Sequence, residues 1–138
     1  SDPMGAEAEE EALVARLELL CACCHGRHLE AEAKTQSLCP LPSLVLGLRS
    51  PRSPPALRRV LASLFHVAYV ETEAPTPGLR TSEHTLSLLE YFKAEVEALA
   101  AITPDPDAPT PIVPDATLEA RRAVVYSGVL PGILAYLR

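Results

Sequence analysis

Apolar residues recur every three or four positions along most of this chain, in segments that prolines separate. The clearest segment has apolar residues at positions 57, 60, 61, 64, 65 and 68, which is one face of a helix. Ser53 and Pro54 precede it, and both residue types are typical of a helix start. The only β-prone stretches, 65–70 and 124–126, lie inside longer helical periods. The spacing therefore predicts an all-α protein.

The same periodicity predicts about seven helices of alternating length. Their expected ranges are 7–24, 27–37, 42–48, 53–68, 82–102, 118–126 and 129–138, with loops at 71–80 and 103–114. Gly26 is expected to end the first helix, and the glutamates at positions 7–11 are expected to lie in its first turn. Residues 1–5 resemble a cloning remnant and are expected to be disordered. Residues 6–138 are then a single domain, which we expect to be a fragment of a longer chain.

Composition and charge exclude several functional classes. With 48% apolar residues the chain is too apolar to be disordered, yet no apolar run approaches the ~18 residues of a membrane span. A net charge of −6 disfavours a general nucleic-acid binder. Cys21, Cys23 and Cys24 are too crowded for a disulfide framework. These features favour an intracellular protein, in the nucleus or the cytoplasm.

Two segments of the chain repeat one pattern. Leu41-Pro42-Ser43-Leu44 aligns with Leu130-Pro131-Gly132-Ile133 at an offset of 89 residues, about twice the ~42-residue period of armadillo repeats. Each segment follows a short helix. Residues 33–68 and 121–137 together resemble the armadillo/HEAT-like family of helical repeats, in which a short helix, a Leu-Pro-x-Leu helix and a longer amphipathic helix form one unit.

This resemblance implies a short right-handed α-solenoid that binds a partner on its surface. It implies a non-catalytic protein–protein interaction scaffold without a cofactor, whose partner is a protein helix or extended peptide. Family members that import proteins present a Trp and an Asn on the third helix of each repeat. Here Ala62 and His66 occupy the matching positions and the chain has no Trp or Asn, so recognition of nuclear-localisation peptides is not expected.

The expected binding surface is a strip on the helix 53–68 that continues onto the helix 82–102. Its predicted residues are Arg58, Arg59, Ala62, Ser63, His66, Val70, His84, Ser87 and Tyr91. Residues 37–70 also contain Arg49 and Arg52 and no acid, so one interpretation is a basic face for an acidic partner. The other is that these arginines are simply solvated.

Further alternatives rest on the cysteines and on surplus apolar surface. Cys21, Cys24, His25 and His28 could form a zinc site, although core packing of the two cysteines is the favoured interpretation. Cys39 precedes a helix N-terminus that could lower its pKa, but no local base accompanies it. Apolar surplus on the helices 82–102 and 129–138 makes self-association the alternative function, with a second copy of the chain as partner.

Overall fold

A computed structural model describes residues 3–102, which form five α-helices and no strand within that range. The helices are α1 (Pro3–Cys24), α2 (Leu29–Leu38), α3 (Leu41–Arg49), α4 (Pro55–Phe65) and α5 (Glu83–Ile102). A π-helical turn (His66–Val70) continues α4, and a 3-10 turn (Leu79–Thr81) precedes α5. The prediction of an all-helical fold is confirmed for these residues. The predicted loop 103–114 and the predicted helices 118–126 and 129–138 lie outside the described residues.

The first helix begins earlier than its sequence predicts. It starts at Pro3, so residues 3–5 are helical rather than disordered, and its first turn contains no acidic residue. The expectation that the glutamates lie in that turn is therefore wrong, because these residues follow it. The helix ends as predicted, with Gly26 at φ +84° and Arg27 at φ +57°, a left-handed conformation that glycine adopts without strain.

Prolines start α3 and α4 without help from side-chain caps. Pro40 and Pro54 occupy the N-cap positions, and neither helix has a side-chain hydrogen bond at its N-terminus. Ser53 lies one residue too early to be the predicted N-cap, because Pro55 rather than Pro54 is the first helical residue. The Ser53 hydroxyl instead donates to the carbonyl of Gly47. This bond joins the turn before α4 to α3.

The core forms where α4 packs between α1 and α3. Leu64 and Phe65 on α4 are completely buried, and the Phe65 ring lies 6.0 Å from the ring of Phe92 on α5. At Gly47 the helices α3 and α4 approach so closely that an added Cβ would lie 2.6 Å from Leu61 Cδ1. Burial of these apolar side chains is the main stabilising contribution to the fold.

The remaining helices attach to this centre. α5 packs on α3, and α2 packs on α1 and on the π-helical turn. Along α5, Thr85, Phe92 and Leu99 are buried, while Leu89 and Val96 are partly buried. None of the helices within residues 3–102 combines the length and the apolar character of a membrane span.

Candidate interaction surface

Two neighbouring cavities lie between α1 and α4 and share Glu18, and we call them together the α1–α4 groove. Its inner half is a cavity of about 290 Å³. The lining residues are Glu18, Cys21, Ala22 and His25 from α1 and Arg59, Val60 and Ser63 from α4. Ala22 and His25 are exposed, so this half opens to the surface above buried Val60.

The outer half of the α1–α4 groove continues toward the start of both helices. It has a volume of about 270 Å³ and shares Glu18 with the inner half. Its other lining residues are Glu7, Glu10, Glu11, Val14 and Ala15 from α1 and Pro54 and Ala56 from the start of α4. The lining residues of the two cavities thus follow α1 over several turns.

The structure divides the predicted binding strip among separate places. Arg59 and Ser63 line the α1–α4 groove. His66 and Val70 lie in the π-helical turn, where His66 Nε2 is 3.4 Å from Glu71 Oε2. Val70 lines a different cavity, of about 430 Å³, together with residues of the loop that follows. Only Arg59 and Ser63 therefore belong to the α1–α4 groove.

Four other residues of the strip lie elsewhere. Ala62 is completely buried and Tyr91 is 9% exposed, so the prediction that both lie on an open surface is wrong. Ala62 belongs to α4, on which α1 and α3 pack. The ring of Tyr91 lies 5.8 Å from the ring of Phe92. On α5, Ser87 accepts a 2.6 Å hydrogen bond from Arg49 of α3, and His84 Nε2 lies 4.0 Å from Glu83.

Three of the four arginines in the basic segment have partners within the fold. Arg49 Nη1 lies 3.8 Å from Glu90, in addition to its bond to Ser87, and Arg59 Nη2 lies 3.6 Å from Glu18. Arg58 donates a 2.8 Å hydrogen bond to the carbonyl of Ser50 at the end of α3. The local positive charge is thus used largely inside the molecule, which weakens the argument for an acidic partner.

Two of the three cysteines of α1 are core residues, as the favoured interpretation of the sequence predicts for Cys21 and Cys24. Cys21 and Cys24 are buried in the hydrophobic core, and the Cys24 thiol donates to Thr35 Oγ1 at 3.3 Å. Burial raises the pKa of Cys21 to about 12. A thiol with so high a pKa remains protonated at neutral pH, and a protonated thiol is a poor nucleophile.

The remaining candidate ligands do not converge with these cysteines. His25 lies exposed at the α1–α4 groove, while His28 Nδ1 accepts a 3.3 Å hydrogen bond from Ala31 N and so caps α2. Among residues 3–102 no three histidine, cysteine or acidic side chains form a cluster suited to a metal. Burial raises the pKa of Cys39, opposite to the effect expected of a helix N-terminus.

A buried polar cluster, which the apolar periodicity of the sequence does not predict, joins α2 to the loop after α4. Glu32 is completely buried, and its Oε2 accepts hydrogen bonds from Thr72 Oγ1 at 2.6 Å, Glu73 N at 2.7 Å and Ala74 N at 3.3 Å. Gln36, one turn later, donates to the carbonyls of Ala68 at 2.6 Å and Ala74 at 2.8 Å. The only sequence signal is the one-turn spacing of these two polar residues.

Hydrogen bonding decides the charge of Glu32. Burial alone would raise the pKa of this carboxyl group, but the bonds from Thr72, Glu73 and Ala74 outweigh it, with a smaller contribution from the positive charge of Arg27. The net effect lowers the pKa of Glu32 below its usual value. The side chain is therefore a carboxylate at neutral pH and fixes the loop to α2.

Comparison of the sequence with models of known protein families finds no match. The arrangement of the helices and the chemistry of the surfaces between them are therefore the basis for proposing a function.

Proposed function

We propose that this chain is a non-catalytic interaction scaffold, built as a short right-handed armadillo-like solenoid, that binds a protein helix or extended peptide in the α1–α4 groove. The observation that carries the proposal is the groove itself, which runs along α1 and is lined by two helices that are distant in sequence. Binding without chemistry needs only shape, apolar area and a few polar anchors. The groove supplies these in the side chains described above.

The packing order of the helices supports a solenoid. α1 packs on α4, and α3 packs on α5. If α2, α3 and α4 are the three helices of one repeat, α1 is the third helix of the preceding repeat and α5 the second helix of the following one. Equivalent helices of neighbouring repeats then pack together, as in stacked repeats. The loop 71–78 and the 3-10 turn take the place of the missing first helix.

The chemistry of the cysteines supports a binding role for the protein and an intracellular location. Cys21, Cys24 and Cys39 are free thiols buried in the core, and burial raises the pKa of each. A nucleophilic cysteine needs the opposite shift and access to its substrate. Unpaired thiols are typical of proteins in reducing compartments.

Site-specific photo-crosslinking in cells tests the proposal. A photoreactive residue at His25, which is exposed at the groove, should give a discrete cross-linked protein adduct. The same residue at Lys93, which is exposed on α5, is the matched control and should give none. Ala22→Arg fills the groove with a bulky side chain and should abolish the adduct at His25.

Two outcomes would contradict groove binding. One is equal labelling from His25 and Lys93, which would indicate random collision. The other is an adduct at His25 that Ala22→Arg leaves unchanged, although circular dichroism shows the variant to be folded.

A second candidate function is self-association into a helical assembly. It is favoured by Leu86 on α5 and Leu46 on α3, whose side chains are 51% and 73% exposed, because large exposed apolar side chains promote association. Sedimentation velocity at increasing protein concentration tests it. A mass that rises with concentration, and that Leu46→Ser together with Leu86→Ser returns to one chain, supports self-association. A constant monomer mass excludes it.

A further inference from the structure

The outer half of the α1–α4 groove has a floor of small apolar groups. Val14 and Ala15 contribute from α1, and Pro54 and Ala56 contribute from the start of α4. Ala15 and Ala56 are exposed, and Val14 and Pro54 are only partly buried. Small side chains leave room for larger aliphatic side chains of a partner, and covering this floor removes apolar surface from water.

The rim of this half is acidic. Glu7, Glu10 and Glu11 line it together with Glu18, all on one side of α1 because their spacing follows the helical period. Within residues 3–102, Glu18 forms an ion pair with Arg59, whereas the other three glutamates form none. Arg16 is the only cation of α1 and does not line the groove. The outer half therefore has three carboxylates that form no ion pair with a cation of the described residues.

We propose that this acidic outer half of the α1–α4 groove binds a basic amphipathic helix of a partner protein. Its apolar face covers Val14, Ala15 and Ala56, and its lysines or arginines pair with Glu7, Glu10 and Glu11. The positions from 7 to 18 span about 17 Å of α1, the length of about three helical turns. A groove of that length suits a helix laid along α1. This inference rests on the proposed function, since it names the chemistry of the partner.

The sign of the charge selects this partner over others. Nucleic acids and anionic membrane surfaces carry negative charge and are repelled by the glutamates. An acidic peptide is repelled for the same reason. A neutral apolar helix could cover the floor but would leave the three carboxylates facing it without partners.

Fluorescence anisotropy with a synthetic probe tests the proposal. The probe is a fluorescein-labelled peptide of about 18 leucines and lysines, with leucines at helical spacing, and the matched probe has glutamate in place of lysine. At about 0.1 M salt the lysine probe should bind and the glutamate probe should bind at least about tenfold more weakly. A higher salt concentration should weaken binding of the lysine probe.

Variants locate the binding. The variant Glu7→Gln/Glu10→Gln/Glu11→Gln should weaken the lysine probe about tenfold, because three exposed ion pairs contribute roughly 0.5 kcal/mol each. The control variant Glu9→Gln/Glu30→Gln/Glu83→Gln loses the same charge outside the groove and should change affinity less than about threefold. Ala56→Arg should block the floor and weaken binding at least about tenfold.

Equal weakening by the two triple variants would overturn the proposal, because binding would then follow net charge alone. Full affinity of Ala56→Arg would also overturn it. The cross-linking experiment separates this failure from that of the proposed function. If the adduct at His25 still forms in the variant Glu7→Gln/Glu10→Gln/Glu11→Gln, a partner binds in the groove but is not recognised through its basic charge. If the lysine probe binds but no adduct forms at His25, the groove has the proposed affinity for basic helices, and the proposed binding of a cellular partner is refuted.

Discussion

Replacing Glu32 tests whether the buried carboxylate fixes the loop 71–76 to α2. Its Oε2 accepts two short hydrogen bonds, from Thr72 Oγ1 at 2.6 Å and Glu73 N at 2.7 Å, and a longer one from Ala74 N at 3.3 Å. Oε1 is buried and has no hydrogen-bond partner among the described residues. The side chain therefore stabilises the fold through one oxygen and carries a desolvation penalty on the other.

The magnitude follows from the two short bonds. A hydrogen bond to a charged group contributes about 1.5–3 kcal/mol and a neutral one about 0.5–1.5 kcal/mol. Glu32→Gln keeps an acceptor but loses the charge, so about 2 kcal/mol is lost, and relief of desolvation offsets part of it. We expect a net destabilisation of about 1–2 kcal/mol for Gln and about 3–4 kcal/mol for Glu32→Ala, which removes the acceptor.

The effect should also depend on pH. The folded-state pKa of Glu32 is lowered, so its stabilisation is fully present above the unfolded pKa of about 4.3. That stabilisation is lost as the pH falls through the folded-state value, because the protonated group no longer accepts charged hydrogen bonds. The difference in unfolding free energy between wild type and Glu32→Gln should therefore be constant from pH 6 to 8 and shrink below about pH 4.

Urea unfolding followed by circular dichroism measures both effects. Glu30→Ala is the control, because Glu30 is exposed in the first turn of the same helix and should change stability by less than about 0.5 kcal/mol. The reasoning is refuted if Glu32→Gln is as stable as wild type at pH 7. It is also refuted if Glu30→Ala destabilises the protein equally.

Three further predictions concern the core. Cys23 is exposed while the other cysteines are buried, so a thiol reagent at pH 8 should label one site quickly, and Cys23→Ser should abolish that fast phase; several fast phases would contradict this burial. Tyr69 donates a 2.7 Å hydrogen bond to the Cys39 carbonyl, so Tyr69→Phe should destabilise the protein by about 1–2 kcal/mol. Burial raises the pKa of the Tyr69 phenol to about 12, and the same substitution should remove this phenol from an absorbance titration. An unchanged titration would refute the assignment. Leu64 is completely buried and Leu46 is 73% exposed, so Leu64→Ala should cost about 2–5 kcal/mol in urea unfolding and Leu46→Ala less than about 0.5 kcal/mol; similar values for both would contradict the described packing.

The helices were predictable because the spacing of apolar residues indicates which face of each helix is buried. Leu61, Leu64 and Phe65 are core residues both in that pattern and in the structure. The burial of Cys21 and Cys24 followed from the same spacing. Helix starts were less predictable, since consecutive prolines such as Pro54 and Pro55 both fit a first turn and only the backbone decides between them.

The surface was predicted less well because it depends on which helices meet. Ala62 lies opposite the main apolar stripe of α4, yet it is completely buried, on a helix that packs against both α1 and α3. Glu32 resembles any solvated glutamate in sequence, since its partners are 40 or more residues away. The acidic residues of α1 were predicted to lie in its first turn, whereas Glu7, Glu10 and Glu11 follow that turn and line a groove.

Amide chemical-shift mapping of the ¹⁵N-labelled protein with the lysine probe tests groove binding most directly. If the probe binds in the groove, the largest shifts fall on residues 7–25 of α1 and 54–63 around the start of α4, with little change in α5. Shifts concentrated on α5 or on the loop 71–81, with α1 unchanged, would contradict it.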